Sequence, residues 1–169
     1  MSSLALGAAV ALPSLAVGSS SCFPRVTARN LNRKDVPLPD GFAGASRNLV
    51  FVAFARKQQD DVDTWAEPLA QLAKENQLAR WQATVMGEVA SPLRAIIEGA
   101  MRGIVKDDEA RRRYLLLYGD RDELLRQLGS PREDAILVML TDASGDVLWQ
   151  GRGPHSAFNE DLLRAALRG

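Results

Sequence analysis

The sequence predicts an α/β domain in which a central mixed β-sheet carries helices on both faces and starts with an N-terminal β-hairpin. Two continuous apolar runs, at residues 49–54 and 135–141, have the composition of buried central strands. Around them, shorter apolar runs alternate with segments that carry an apolar residue every three or four positions, the pattern of helices that cross over a sheet. With 169 residues, 46% of them hydrophobic, the chain can build one ordinary packed core.

The first half of the chain predicts a hairpin, a long strand and a helix. Residues 26–31 and 36–38 have strand composition and flank the polar turn 32–34. The strand 49–54 then leads into a helix at about 61–77. Acidic residues near the start of this helix suit the free backbone N–H groups found there.

A second strand and an amphipathic helix come next. Residues 81–86 alternate between apolar and polar side chains, as a half-buried strand does. Ser91 followed by Pro92 is a helix start, and the apolar stripe that follows favours packing on the domain, with Glu98 and Arg102 on the other face. The stripe consists of Leu93, Ile96, Ile97, Ala100, Met101 and Ile104.

The second half of the chain repeats the alternation of helices and strands and ends in a helix. In chain order it predicts a charged turn or short helix at 107–113, a strand at 114–118, a helix from Asp120 to Leu128, the strand 135–141, a tight turn, a returning strand at 147–150, and a last helix capped by Ser156. The predicted buried stripe of that last helix is Phe158, Leu162, Leu163, Ala166 and Leu167.

Residues 1–22 predict a disordered signal or targeting segment, and residues 23–169 a single domain. The apolar stretch 4–15 is too short to cross a bilayer, which takes roughly 20 apolar residues. It fits a signal peptide cleaved after Gly18, so we expect export to the periplasm or the outer face of the inner membrane. A transit peptide for a mitochondrion or other organelle, a lipid anchor at Cys22 and a wrongly chosen initiation codon are the alternatives.

Composition argues against several classes of function. The 21 basic and 21 acidic residues balance, and the part of the chain after its first 34 residues is mildly acidic, so it offers no basic face for nucleic acid. Cys22 is the only cysteine and His155 the only histidine. One thiol and one imidazole give neither an internal disulfide nor the ligand cluster of a typical metal site, so we expect no metal and no cofactor. We interpret His155 as a solvated loop residue.

The turn that follows the strand 49–54 is where an α/β protein usually builds its chemistry. Here it contains no cysteine, serine or histidine. Asp60, Asp61 and Asp63 could do acid–base work only if burial separated their pKa values, and an exposed helix start offers little burial. We therefore predict no catalytic residue.

The end of the chain resembles the second half of thioredoxin-like domains of the peroxiredoxin and thiol-disulfide exchange type. The resemblance rests on the strand, turn and strand at 136–149 and on the helix that closes at Leu167. In the first half, Pro68 with Leu69 and Leu72 is similar to the proline that kinks the first helix of those proteins. The resemblance implies their fold.

The resemblance does not carry the family's reaction with it. Counting from the strand end places the redox cysteine pair at Gln59 and Val62, whereas counting back from the helix proline places it at Asp60 and Asp63, so neither register supplies a thiol. The proline that precedes the late strand of active thioredoxins would fall near Ile136. Dithiol exchange and peroxide reduction both need a thiolate, so they are unavailable at this turn.

A narrower resemblance covers about residues 30–168. The phrases at 48–54, 56–65, 99–104 and 147–149 are similar to the cysteine-free thioredoxin-like branch that includes the ATP10 family. Members of that family assist assembly of the membrane sector of F-type ATP synthase. The resemblance implies a protein that binds subunits of a membrane complex and is membrane-proximal rather than transmembrane. The candidate contact residues are Arg56, Lys57, Gln58, Gln59, Asp60, Asp61, Trp65, Met101 and Arg102.

Other interpretations remain open. The same contact residues fit a polar loop, an acidic helix start and a core tryptophan. The protein as a whole could be an oxidoreductase that uses Cys22, a hydrolase that uses the aspartates, or a periplasmic module that binds a small molecule or peptide.

Overall fold

The computed structural model describes residues 22–169, and these form a seven-stranded mixed sheet with helices on both faces, as predicted. Of the targeting segment predicted for residues 1–22, residues 1–21 lie outside the described residues and Cys22 is described. The strands are β1 (Val26–Asn30), β2 (Asp35–Leu38), β3 (Arg47–Ala53), β4 (Leu78–Gly87), β5 (Tyr114–Tyr118), β6 (Leu137–Asp142) and β7 (Val147–Arg152). The α-helices are α1 (Gln59–Asp63), α2 (Ala66–Asn76), α3 (Ser91–Ile104), α4 (Asp108–Arg112), α5 (Arg121–Gln127) and α6 (Ala157–Arg168).

The strand order β2-β1-β5-β4-β3-β6-β7 places three parallel strands at the centre of the sheet. β6 and β7 extend it on one side and the β1–β2 hairpin on the other, all in antiparallel pairing. The carboxyl ends of β3, β4 and β5 therefore share one edge of the sheet, which we call the upper edge. Their amino ends share the opposite edge, the lower edge. The turn after β3 lies at the upper edge.

Each face of the sheet builds its own core, because successive strand side chains point to opposite faces. On one face, α1, α2 and α6 cover Leu49 and Phe51 of β3 with Trp65, Leu69 and Leu163 among others. On the opposite face, α5 packs over the alternate positions of the same central strands. The two apolar runs used for the fold prediction are thus buried on both sides.

The helix predicted at 61–77 is divided into α1 and α2. Thr64 and Trp65 separate the two helices, and Pro68 stands in the first turn of α2. In an unbroken helix the Pro68 ring would clash with the carbonyl of Thr64, four residues earlier. The interruption removes that clash and turns the Trp65 ring into the core, where it is 0% exposed.

The prediction for α3 has the correct helix but the wrong side facing the domain. Glu98 is buried at 4% exposure, whereas Leu93, Ile96 and Ile104 are 51%, 68% and 71% exposed. The sheet beneath the helix explains this orientation, because it presents two polar side chains to α3, Arg29 on β1 and Tyr118 on β5. Arg29 Nε lies 3.6 Å from Glu98 Oε1, so the polar side of α3 finds its partners inside.

The prediction for the last helix is correct for only part of its stripe. Ser156 caps α6 through its hydroxyl, which accepts from the Asn159 N–H. Leu163 and Leu167 are buried, but Phe158 and Leu162 are 72% and 42% exposed. Because α6 packs beside the edge strand β7, no element among residues 22–169 covers the outer part of its stripe.

Candidate functional site

The turn after β3 is held from inside by the side chain of Gln58. Residues Arg56–Gln58 form a single 3-10 turn, and Gln58 is only 3% exposed. Its Oε1 accepts hydrogen bonds from the backbone N–H groups of Phe54 at 2.8 Å and Ala55 at 3.3 Å. Its Nε2 donates to the carbonyl of Glu133 at 2.7 Å. One amide therefore satisfies three backbone groups where the strand ends.

Arg121, the first residue of α5, connects the strands at the upper edge. Its guanidinium donates to the carbonyls of Val85 at 2.9 Å and Phe54 at 2.7 Å. It also binds the Glu133 carboxylate through two hydrogen bonds of 2.6 and 2.9 Å. The hydrogen bonds from Arg121 lower the pKa of the Glu133 carboxyl below its ordinary value. The ends of β3 and β4 and the loop before β6 thus form one connected polar unit.

The outer side of the same turn carries free charges. Arg56, Lys57 and Asp60 are exposed and Asp61 is half-buried. Among residues 22–169, no hydrogen bond or ion pair engages the side chain of any of the four. The turn therefore combines a fixed backbone with unpaired charges of both signs.

The predicted contact residues do not all share this surface. Gln58 and Trp65 are buried, so the core interpretation holds for the tryptophan. Met101 and Arg102 are half-buried, and Arg102 donates to the carbonyl of Leu31 at 2.9 Å. Because Leu31 follows the end of β1 at the lower edge, these two residues lie at the opposite edge from the turn. The nine predicted residues therefore include charges on the outside of the turn, side chains in and beneath it, and two residues at the other edge of the sheet.

The interpretation of His155 as a solvated residue is wrong. Its ring meets the Trp65 ring edge-on at 5.2 Å between centroids, and its Nε2 lies 2.7 Å from the Glu160 carboxylate. Its backbone N–H donates to the hydroxyl of Thr64. Hydrogen bonds from His155 and then Arg164 lower the pKa of the Glu160 carboxyl. These contacts hold the start of α6 against Thr64 and Trp65, the two residues that separate α1 from α2.

A polar chain that the sequence analysis missed crosses the sheet beside α1. The Gln82 amide donates to Gln59 Oε1 at 2.5 Å and to the Tyr114 hydroxyl at 3.2 Å. The same hydroxyl lies 3.3 Å from Thr84 Oγ1, while the Gln59 amide donates to Asp63 at 2.8 Å. Burial raises the pKa of Tyr114, so its hydroxyl stays neutral at physiological pH. The alternation of residues 81–86 held the signal, because it gives β4 one apolar and one polar side.

Cys22 is remote from the turn. It pairs with Asp146 through an isolated backbone bridge beside the turn between β6 and β7. That turn lies at the lower edge, where Asp142 pairs with Arg47 at the start of β3. In the part of the chain that the structure describes, no group of three or more metal-binding side chains is found, and no helix is long and apolar enough to cross a bilayer.

No family model and no curated protein matches this chain. Solved structures match its fold. A thiol:disulfide interchange protein from Bacteroides sp. superposes with a TM-score of 0.57 at 16% identity, covering 89% of this chain and 91% of that one. The exposed lipoprotein thioredoxin of Streptococcus pneumoniae superposes with a TM-score of 0.53 at 13% identity, covering 85% of this chain and 98% of that one. BsSco, of the Sco family of cytochrome c oxidase assembly proteins, superposes with a TM-score of 0.55 at 14% identity, covering 87% of this chain and 92% of that one.

The chain therefore has a thioredoxin-like fold. At these identities the likeness extends to the fold and not to the reaction. The turn after β3 departs from a redox turn in both predicted registers, since Gln59 and Val62, or Asp60 and Asp63, stand where a cysteine pair would be. With no cysteine at either position, this turn cannot carry out thiol chemistry.

Proposed function

We propose that this protein is a non-catalytic thioredoxin-fold factor that assists assembly of a membrane protein complex, in the manner of a chaperone. The observation that carries the proposal is the turn after β3, where Gln58 fixes the backbone from inside and unpaired charges face outward. A preorganised charged surface loses little conformational entropy on binding, and its charges steer and select the partner. Arg56, Lys57, Asp60 and Asp61 form this surface, which we call the turn surface.

More specifically, we propose that the protein belongs to the ATP10 family. The first partner to test is a membrane-embedded subunit of F-type ATP synthase. The short phrases at 48–54 and 56–65 support this assignment. The fold also resembles that of BsSco, a member of the Sco family of cytochrome c oxidase assembly proteins. We place the protein in the periplasm or at the outer face of the inner membrane. The likeness to an exposed lipoprotein thioredoxin is compatible with this location, and a mitochondrion or other organelle is the alternative.

A small-molecule site is an alternative to a protein partner, and the cavity beside α2, away from the turn, is small for that role. The cavity beside α2, lined by Leu49, Leu69, Leu78 and Arg80 with three alanines of the helix, has a volume of about 130 Å³. Small-molecule sites usually measure roughly 300 Å³ or more. An oxidoreductase would have to use Cys22, which lies at the other edge of the sheet.

The proposal is tested by complementation in cells that lack this protein. We expect membranes of those cells to contain less assembled ATP synthase on native gels, and the full-length wild type to restore it. The double variant Arg56→Glu/Lys57→Glu reverses the cations of the turn surface and should fail to restore assembly. Arg25→Glu/Lys74→Glu is the matched control, because both of its positions are exposed and away from the turn.

Two results would contradict the proposal. One is full restoration of assembly by Arg56→Glu/Lys57→Glu at normal protein level. The other is loss of function in Cys22→Ser while the variant still fractionates with membranes as wild type does, since a thiol requirement separate from any lipid anchor would favour the oxidoreductase. We expect Cys22→Ser to behave as wild type.

A further inference from the structure

We propose that the outward face of α3, together with the cations at the lower edge, binds the surface of an anionic lipid bilayer. Every fully exposed residue of this 14-residue helix is uncharged. The inference concerns a different surface from the turn and does not depend on the assembly role. The exposed residues, which we call the α3 face, are Ser91, Pro92, Leu93, Ala95, Ile96, Gly99, Ala100, Gly103 and Ile104.

The orientation of α3 is fixed by its polar side. Glu98 lies between Arg29 Nε at 3.6 Å and the Tyr118 hydroxyl, which donates to it at 3.4 Å. The guanidinium of Arg94 sits 4.3 Å from the centre of the Tyr118 ring. Arg102 donates to a backbone carbonyl at the lower edge. Because its three charged residues are engaged inside, α3 cannot rotate to bury its apolar residues without breaking these contacts.

Nothing in the described chain covers the α3 face. Ile96 and Ile104 are 68% and 71% exposed, and a Cβ built at Gly99 or Gly103 would meet no atom within 4 Å. A continuous exposed helix face with no charged residue is a candidate interaction surface. Its occupant must be apolar along the helix, since the face offers no charge to pair.

Free cations adjoin the carboxyl end of this face. The turn of the β1–β2 hairpin contacts both α3 and α4, because Leu31 accepts from Arg102 and Asn32 donates to Asp108 at 3.0 Å. This corner carries the exposed cations Arg33, Lys34 and Lys106, which have no side-chain partner among residues 22–169.

The acids of the same corner are already engaged. Asp35 pairs with Arg29 at 3.0 Å, Asp108 with Arg112 at 2.7 Å, and Glu109 with Arg113 at 2.9 Å, while Asp107 caps α4. The segments 29–35 and 98–113 hold eight basic and five acidic residues. The corner is therefore positive in a chain whose formal net charge is zero.

A lipid surface fits these features better than a second copy of the chain. An apolar helix face with adjacent cations is the arrangement by which interfacial helices lie in the headgroup region of anionic membranes. A helix of 14 residues is about 21 Å long and 10 Å wide. One such face is far smaller than the roughly 800 Å² per partner of a stable protein interface. A parallel pairing about a two-fold axis would also bring the positive corners of the two copies near each other, whereas an antiparallel pairing would not.

Vesicle flotation with the full chain tests the inference. We expect flotation with vesicles of phosphatidylcholine mixed with phosphatidylglycerol, and little with phosphatidylcholine alone. Ile96→Gln/Ile104→Gln should weaken binding by about tenfold or more, because buried apolar area is lost. Replacing Lys34 and Lys106 by Gln should weaken it by about fivefold per cation. Phe158→Gln on α6 is the matched control at 72% exposure, and it should bind as wild type.

A site-specific probe separates the α3 face from any contribution of residues 1–21. In a Cys22→Ser background, an environment-sensitive fluorophore at Ala100→Cys should shift to the blue on the anionic vesicles, whereas one at Asp122→Cys on α5 should not. Equal flotation of wild type and Ile96→Gln/Ile104→Gln with no shift at position 100 would overturn the inference. So would a concentration-dependent dimer that the double variant abolishes, since the occupant would then be a second copy.

Discussion

Replacing Gln58 with methionine tests whether this one amide holds the turn after β3. Methionine has a similar length and fills a similar volume, so packing is largely kept while all three hydrogen bonds are lost. Those bonds reach the N–H groups of Phe54 and Ala55 and the carbonyl of Glu133. Because Gln58 is only 3% exposed, water cannot readily replace them.

The size of the effect follows from the number of bonds. At about 1 kcal/mol for each neutral hydrogen bond, Gln58→Met should lower the free energy of unfolding by about 3 kcal/mol. For a domain of this size that corresponds to a fall in Tm of about 6–12 °C. Urea unfolding followed by tryptophan fluorescence measures it, with an unchanged dependence on urea concentration showing that the native state stays compact.

The control for this prediction is Gln71→Met on α2. Gln71 is exposed and bonds only to Glu75 on the same helix, so its loss should cost less than about 0.5 kcal/mol. If Gln58→Met lowers the free energy of unfolding by no more than Gln71→Met does, the Gln58 amide does not hold the turn. The turn surface would then lack the rigid support on which the proposed function relies.

Three further predictions concern the elements around the site. Hydrogen bonding from His155 lowers the native pKa of Glu160, so its contribution to stability is present above the ordinary value of 4.5 and is lost as the pH falls through the native value. Urea unfolding over pH should show a larger loss of stability at acid pH in wild type than in Glu160→Gln, where only the other carboxylates, such as Glu133, contribute. Glu98→Leu removes the inner partner of Arg29 and should lower the free energy of unfolding by about 1–2 kcal/mol in urea. A stabilised variant would contradict our account of why the polar side of α3 faces the sheet. Trp65→Phe loses the indole hydrogen bond to a backbone carbonyl and should lower stability by about 1–2 kcal/mol in thermal unfolding, and no loss would mean that the bond does not contribute.

Local patterns predicted most of the fold because each element carries its own signal. The strand β5 occupies the predicted residues 114–118, and Asp120 caps α5 by accepting from the Glu123 N–H. The orientation of α3 could not be predicted in this way. An amphipathic pattern shows which side of a helix is apolar, but the side that faces the domain depends on what the sheet presents. Here that was decided by Arg29, which is 69 residues away from Glu98 in the sequence.

The candidate site also has one part that the sequence predicts and another that it does not. Its position at the end of β3, and the lack of a thiol there, follow from the sequence of one short segment. Its internal supports do not, because Gln58 bonds to a residue 75 positions later and Arg121 to one 67 positions earlier. Contacts across such separations leave no periodic trace in a single sequence.

The contacts of Gln58 and Arg121 suggest how a thioredoxin-like turn can serve a function without a cysteine. A redox turn must keep a thiolate accessible, so the side chain at its centre has to face outward. Here Gln59 and Asp60 stand where the first cysteine would be in the two registers, and Gln58, just before them, faces inward and satisfies the backbone. The Arg121–Glu133 pair joins that backbone to the neighbouring strand and loop. The outer charges are then presented on a backbone that does not need to reorganise, which lowers the entropic cost of binding a partner. Loss of the inner amide should therefore weaken partner binding even though Gln58 itself does not reach the surface.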